Sequence, residues 1–111
     1  MNWEHLTEES QLEEIVQQSF NQPIVIFKHS TRCSISTMAK GRLERVTTPE
    51  NVTFFYLDLI RYRSVSNRIA DMFQVYHESP QVLLIRNGEC VYDESHSGIN
   101  MDEIEEKAAT L

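Results

Sequence analysis

Residues 29–36 read His-Ser-Thr-Arg-Cys-Ser-Ile-Ser and follow directly on the run Pro23-Ile24-Val25-Ile26-Phe27-Lys28. A buried strand that hands a cysteine to the first turn of a helix is a way to present a sulfur nucleophile. Unpaired N–H groups at the helix start, the positive end of the helix dipole and a cationic neighbour all favour the thiolate. Cys33 meets these conditions, with Arg32 beside it and Thr31 and Ser34 in the same polar turn. The polar surroundings set it apart from a buried, inert cysteine and mark it as the catalytic nucleophile. Thr31 and Ser34 are expected chiefly as caps of the helix start. Dithiol proteins carry a second cysteine three places on, where this chain has Ser36. Its hydroxyl can donate a hydrogen bond to the Cys33 thiolate but cannot attack a disulfide sulfur. A mixed disulfide on Cys33 must therefore wait for an outside thiol. The chemistry of such a site is the movement of a small-thiol cap between partners.

The elements that position this cysteine can be read from periodicity. Thr7 is a plausible N-cap, with Glu8 and Glu9 in the first turn and Leu12, Ile15, Val16 and Phe20 recurring at helical spacing. Ile24 to Phe27 is apolar at successive positions, as in a strand buried on both faces. Ile35, Met38, Ala39, Leu43 and Val46 repeat with helical period after the cysteine, and Val52 to Leu59 reads as a second strand. Val65, Ile69, Met72 and Phe73 mark a third helix. Val82 to Ile85 is a further strand, and Asn87-Gly88 signals a hairpin returning through Cys90, Val91 and Tyr92. Asn100 should cap a last helix with Met101, Ile104, Ala108 and Leu111 on one side. A weak first strand is possible around Trp3 to Leu6. The order predicts an α/β, thioredoxin-like three-layer fold. Its central mixed sheet would have four or five strands with about four flanking helices, in one domain over 1–111.

In such a fold the Ser79-Pro80 bond before the third buried strand is expected to be cis and to face the cysteine, leaving the preceding backbone free to pair with substrate. That makes Ser79, Pro80, His29 and Lys28 candidate substrate-binding residues, and His77 a further residue of the same edge. Cys90 follows a turn at the far end of the sheet and is expected to be a packing residue. A disulfide to Cys33 would need Cα atoms within about 7 Å.

Composition excludes much else. The chain has 111 residues and a formal net charge of −7. That charge argues against sequence-independent nucleic-acid binding and anionic membrane surfaces. No apolar run is long enough to span a bilayer, and the polar, acidic start lacks the pattern of a secretory signal. A cytoplasmic, monomeric protein is expected. The histidines at 5, 29, 77 and 96 have no metal-ligand spacing, so no metal is expected. Lys28, Arg32, Lys40, Arg42 and Arg45 cluster in sequence about Cys33 and suggest a local positive field.

Phe27 to Ser36 (FKHSTRCSIS) and His77 to Glu89 (HESPQVLLIRNGE) together resemble the YtxJ-type monothiol bacilliredoxins, small thioredoxin-like proteins of the bacillithiol redox system. The likeness spans nearly the whole chain, including Asp93 to Asn100 (DESHSGIN). That family's site is usually T-C-P-I after a histidine, a serine and a threonine. Here His29, Ser30, Thr31, Cys33 and Ile35 match, Arg32 is interposed and Ser34 stands where proline is usual. Proline at a first helical position has no N–H, so Ser34 restores a donor near the sulfur. The resemblance implies removal of bacillithiol from S-bacillithiolated client proteins, with bacillithiol as co-substrate and no resident cofactor. It also implies that Lys28, Arg32 or Lys40 meets the carboxylates of bacillithiol's malate moiety. Two other readings are open: an iron–sulfur cluster carrier, whose C-G-F-S motif Ser34 and Ile35 match poorly, and a non-enzymatic thioredoxin-like adaptor.

Overall fold

The computed structural model describes residues 1–109. In chain order the elements are β1 (Glu4–His5), α1 (Ser10–Gln18), β2 (Ile24–His29), α2 (Ser34–Glu44), β3 (Thr53–Asp58), α3 (Arg63–Phe73), β4 (Gln81–Arg86), β5 (Glu89–Ser95) and α4 (Met101–Ala109), with a 3₁₀ turn at His96–Gly98 before α4. The strands form one mixed sheet in the order β1-β3-β2-β4-β5. β1, β3 and β2 run parallel, β4 runs antiparallel to β2, and β5 runs antiparallel to β4. This is the expected three-layer arrangement, with the weakly signalled first strand present as a two-residue edge.

Strand alternation sends the residues of β2 into two different layers. Ile24 and Ile26 pack with Leu12 and Ile15 of α1 and Val65 and Ile69 of α3. Val25 and Phe27 pack with Ala39 and Leu43 of α2 and Met101 and Ile104 of α4. All six residues of β2 are buried, which is why the run is apolar at consecutive positions. Each fully buried side chain of this kind contributes about 1.5–3 kcal/mol. The β4–β5 hairpin turns at Asn87 and Gly88, whose φ values of 52° and 79° suit the asparagine-glycine pair. Asn100 caps α4 as expected: its Oδ1 accepts the Glu103 N–H at 2.9 Å and its amide donates to Glu103 Oε2 at 3.1 Å.

Three expectations are corrected. The first helix starts at Ser10 with Glu9 rather than Thr7 at its N-cap and no side-chain cap bond, while Gln11 Oε1 accepts the Thr7 and Glu8 N–H groups ahead of the helix at 2.8 and 2.9 Å. Phe20 lies beyond the end of α1 and is mostly exposed. In α2 the buried face is Ser36, Ala39 and Leu43, while Ile35 (49%) and Met38 (64%) are exposed, as is Val46 beyond the helix. Leu111 lies outside the described residues.

Candidate active site

Cys33 is half-buried, reduced, and forms the N-cap of α2 in extended conformation. Its N–H donates to Ser30 O at 3.2 Å, closing the turn that leaves β2. The first bond of the helix ladder is Thr37 N–H to Cys33 O at 3.0 Å, so the N–H groups of Ser34, Ile35 and Ser36 precede the ladder at the sulfur's end of the helix. Neither Thr31 nor Ser34 caps it: the cap position belongs to Cys33, which makes no side-chain cap bond, and both flanking residues are exposed. Arg32 is exposed beside them.

Ser36 is fully buried rather than turned to the sulfur. Its Oγ lies 2.6 Å from His29 Nδ1 and accepts the Ser30 N–H at 3.0 Å. No hydrogen bond links it to Cys33 among the described residues, so the expected donor to the thiolate is instead a brace for the turn that presents it. His29 is buried in the same layer, stacked on Phe27 with centroids 5.7 Å apart and tilted against Tyr56 at 5.5 Å. Burial, and then the Lys40 charge, hold its imidazole below the usual histidine pKa, which keeps the ring neutral near pH 7. Ser36→Ala strands the Ser30 N–H and His29 Nδ1 without partners at a cost of about 1–3 kcal/mol. Thermal denaturation should therefore show a melting point several degrees lower, and an unchanged one refutes the bracing role.

The positive field expected around Cys33 is not assembled. Lys28 alternates with His29 and is buried on the α1/α3 side of the sheet. Lys40 pairs with Glu44 at 2.9 Å and lies over the Tyr56 ring. Arg42 donates to Ile99 O at 3.1 and 3.3 Å and to His96 O at 3.2 Å. Arg32 remains exposed next to the sulfur, without an ion pair among the described residues.

The Ser79–Pro80 bond is cis, as expected. Gln81, the first residue of β4, pairs with Lys28 near the end of β2, and Cys33 follows that same end, so Pro80 and the sulfur share one rim of the sheet. Pro80 O accepts the His96 N–H at 3.1 Å, and His96 Nδ1 lies 3.4 Å from Glu78 Oε2. Arg42 therefore ties the cysteine helix to the turn that holds the proline segment. Sequence reading missed this link, because its acceptors are backbone carbonyls that no residue type advertises.

Cys90 sits where it cannot reach. It pairs with Ile85, which pairs with Ile24 at the start of β2, whereas Cys33 follows its end. The length of β2 alone is about 16 Å, well beyond disulfide reach. Burial pushes the Cys90 thiol up to about 11, so it stays protonated and packs as a small apolar group. No group of three or more candidate metal ligands occurs among the described residues. No helix among them is long and apolar enough to cross a membrane.

Comparison with known proteins gives the same picture. A family model described as monothiol bacilliredoxin BrxC matches residues 4–104. The chain is similar to a solved structure described as having a thioredoxin fold, at 29% identity and a TM-score of 0.81, over 92% of this chain and 89% of the other. Mitochondrial thioredoxin 3 of Saccharomyces cerevisiae shares 16% identity at a TM-score of 0.75, covering 98% and 95%. Schistosoma mansoni thioredoxin shares 18% at 0.74, covering 96% and 93%. The last two support the fold alone, which is the thioredoxin fold.

Proposed function

We propose that this chain, which belongs to the monothiol bacilliredoxin family, removes bacillithiol from S-bacillithiolated proteins in the cytoplasm through a mixed disulfide on Cys33. The observation that supports this reading is a half-exposed free sulfur at a helix start whose +3 neighbour is a buried serine, with the second cysteine at the far end of the sheet.

In the first step the Cys33 thiolate attacks the bacillithiol sulfur of a client's mixed disulfide. The client–bacillithiol S–S bond breaks, a Cys33–bacillithiol bond forms, and the client leaves as a thiolate that takes a proton from water. No group in the chain can attack the new disulfide, because Ser36 has no sulfur and Cys90 is remote. In the second step the thiolate of another bacillithiol attacks the bound bacillithiol sulfur. Cys33 leaves with its electron pair, and bacillithiol disulfide departs for reduction elsewhere. The N–H groups of Ser34 to Ser36 favour the leaving thiolate, and Arg32 is free to meet the carboxylates of the malate moiety. In this reading the backbone at Ser79 pairs with an extended client segment beside Pro80.

Intact-mass analysis after exposure to bacillithiol disulfide tests the reading. A single bacillithiol adduct mapping to Cys33 is expected, absent from Cys33→Ser and retained in Cys90→Ala. No adduct, or an equal adduct on Cys33→Ser, defeats it.

A further inference from the structure

We infer that β2, α3 and the segment before Pro80 build a binding site for a small oxyanion, a carboxylate or a phosphate, on the face of the sheet opposite α2. The site stands apart from the thiol chemistry and does not depend on which small thiol Cys33 exchanges with.

Its inner group is Lys28. The residue is fully buried, and its ammonium has no hydrogen-bond partner among the described residues. An unpaired buried charge costs several kcal/mol, so native chains almost always supply an acceptor. The described residues supply none. The carboxylates of the neighbouring segments are committed elsewhere: Asp58 Oδ1 accepts the N–H groups of Ile60 and Arg61 at 3.1 and 3.3 Å, and Glu78 faces His96.

Lys28 lies between Leu57 of β3 and Gln81 of β4, and neither offers it a carboxylate. Gln81 is its direct cross-strand partner and so shares its face. The Gln81 side chain holds the segment before Pro80, donating to Tyr76 O at 3.0 Å and accepting the Glu78 N–H at 3.4 Å. Between those two residues stands His77, exposed, with Nδ1 3.4 Å from the hydroxyl of Ser66 in the second turn of α3. Arg63, also exposed, opens α3, where the helix dipole presents its positive end and Tyr62 provides no side-chain cap. The Arg63 charge acts on Lys28, and burial, then the Lys28 and Arg63 charges against an opposing Glu78, hold the His77 imidazole below the usual histidine pKa, so His77 stands beside the two cations as a neutral hydrogen-bonding group. A protein of net charge −7 here sets Arg63 near an orphaned ammonium at a helix N-terminus, and an oxyanion is the ligand that completes it.

Nitrogen-15 NMR titration of the reduced protein with malate, with inorganic phosphate, and with sodium chloride at matched ionic strength tests the site. Saturable shifts at the amides of Arg63 to Ser66 and His77 are expected with at least one of the two oxyanions and not with chloride. The oxyanion that saturates identifies the class, and saturation by both assigns a general oxyanion site. Lys28→Met and Arg63→Ala should each weaken binding at least about 10-fold. Lys28→Met keeps the buried stem, and the surface change Arg63→Ala serves as an independent second variant. Absence of saturable shifts with both oxyanions overturns the site, as does undiminished affinity in the two variants.

Discussion

Ser36→Cys is expected to shorten the life of a Cys33 mixed disulfide by at least about 100-fold, because an intramolecular thiol competes at a high effective concentration with millimolar thiol in solution. Residues 33 and 36 stand at the N-cap and third position of α2. Positions three apart on a helix lie about 5–6 Å apart, within the Cα separation a disulfide tolerates. The wild-type Ser36 Oγ is held by Ser30 N–H and His29 Nδ1, and a sulfur there loses those bonds but gains a partner in Cys33. Intact mass followed over time without added thiol distinguishes the two proteins. The wild-type adduct should persist, whereas the variant should release it as bacillithiol and appear two hydrogen atoms lighter than its reduced form, as an internal disulfide. Persistence of the adduct in the variant would show that the second position is too deeply turned inward to resolve anything.

Lys28→Met should stabilise the protein at neutral pH by about 1–3 kcal/mol, since an apolar side chain of similar length replaces a buried charge that has no partner. Burial, and then Arg63, push the Lys28 ammonium down from 10.5 to about 8. A depression of that size corresponds to about 3 kcal/mol of cost when both states are protonated. The sign then fixes the pH dependence. Between about pH 8 and pH 10.5 the unfolded chain still holds the proton that the folded chain has released, so wild-type stability rises relative to the variant. Cys90 and Tyr92, raised to about 11 and about 12, lose stability at alkaline pH in both proteins and cancel in the difference. Urea denaturation at pH 7 and pH 10 should show the variant ahead at the lower pH and the gap nearly closed at the higher. A constant gap, or a less stable variant at pH 7, contradicts the account. The oxyanion site accounts for an ammonium retained here against stability.

The frame around the cysteine was legible because it follows from strong local rules. A strand apolar at every position, a polar turn, a helical repeat and an asparagine-glycine hairpin each admit few structures, and their order admits few topologies. The environment of the sulfur was less legible for two identifiable reasons. Strand parity is the first: Lys28 and His29 are neighbours in sequence but lie on opposite faces of β2, so Lys28 is parted from the basic residues of α2 with which it clusters in sequence. The face of α2 was also misplaced. Hydrophobicity points to Ile35 and Met38 as core, whereas the buried position is Ser36, whose hydroxyl finds partners in His29 and Ser30. A polar residue with two buried partners sits in the interior as readily as a leucine, and residue type alone does not reveal those partners.

The two margins of the sheet have a consequence for how copies of this molecule meet at high concentration. On one side β1 is two residues long and offers little backbone for a visiting strand. On the other, β5 carries Glu89, Asp93 and Glu94, and its pairing with β4 skips Val91 between Leu84 and Ile85. A second chain laid along that border would set acid against acid across an interrupted ladder, so lateral stacking into fibrils is discouraged at both ends.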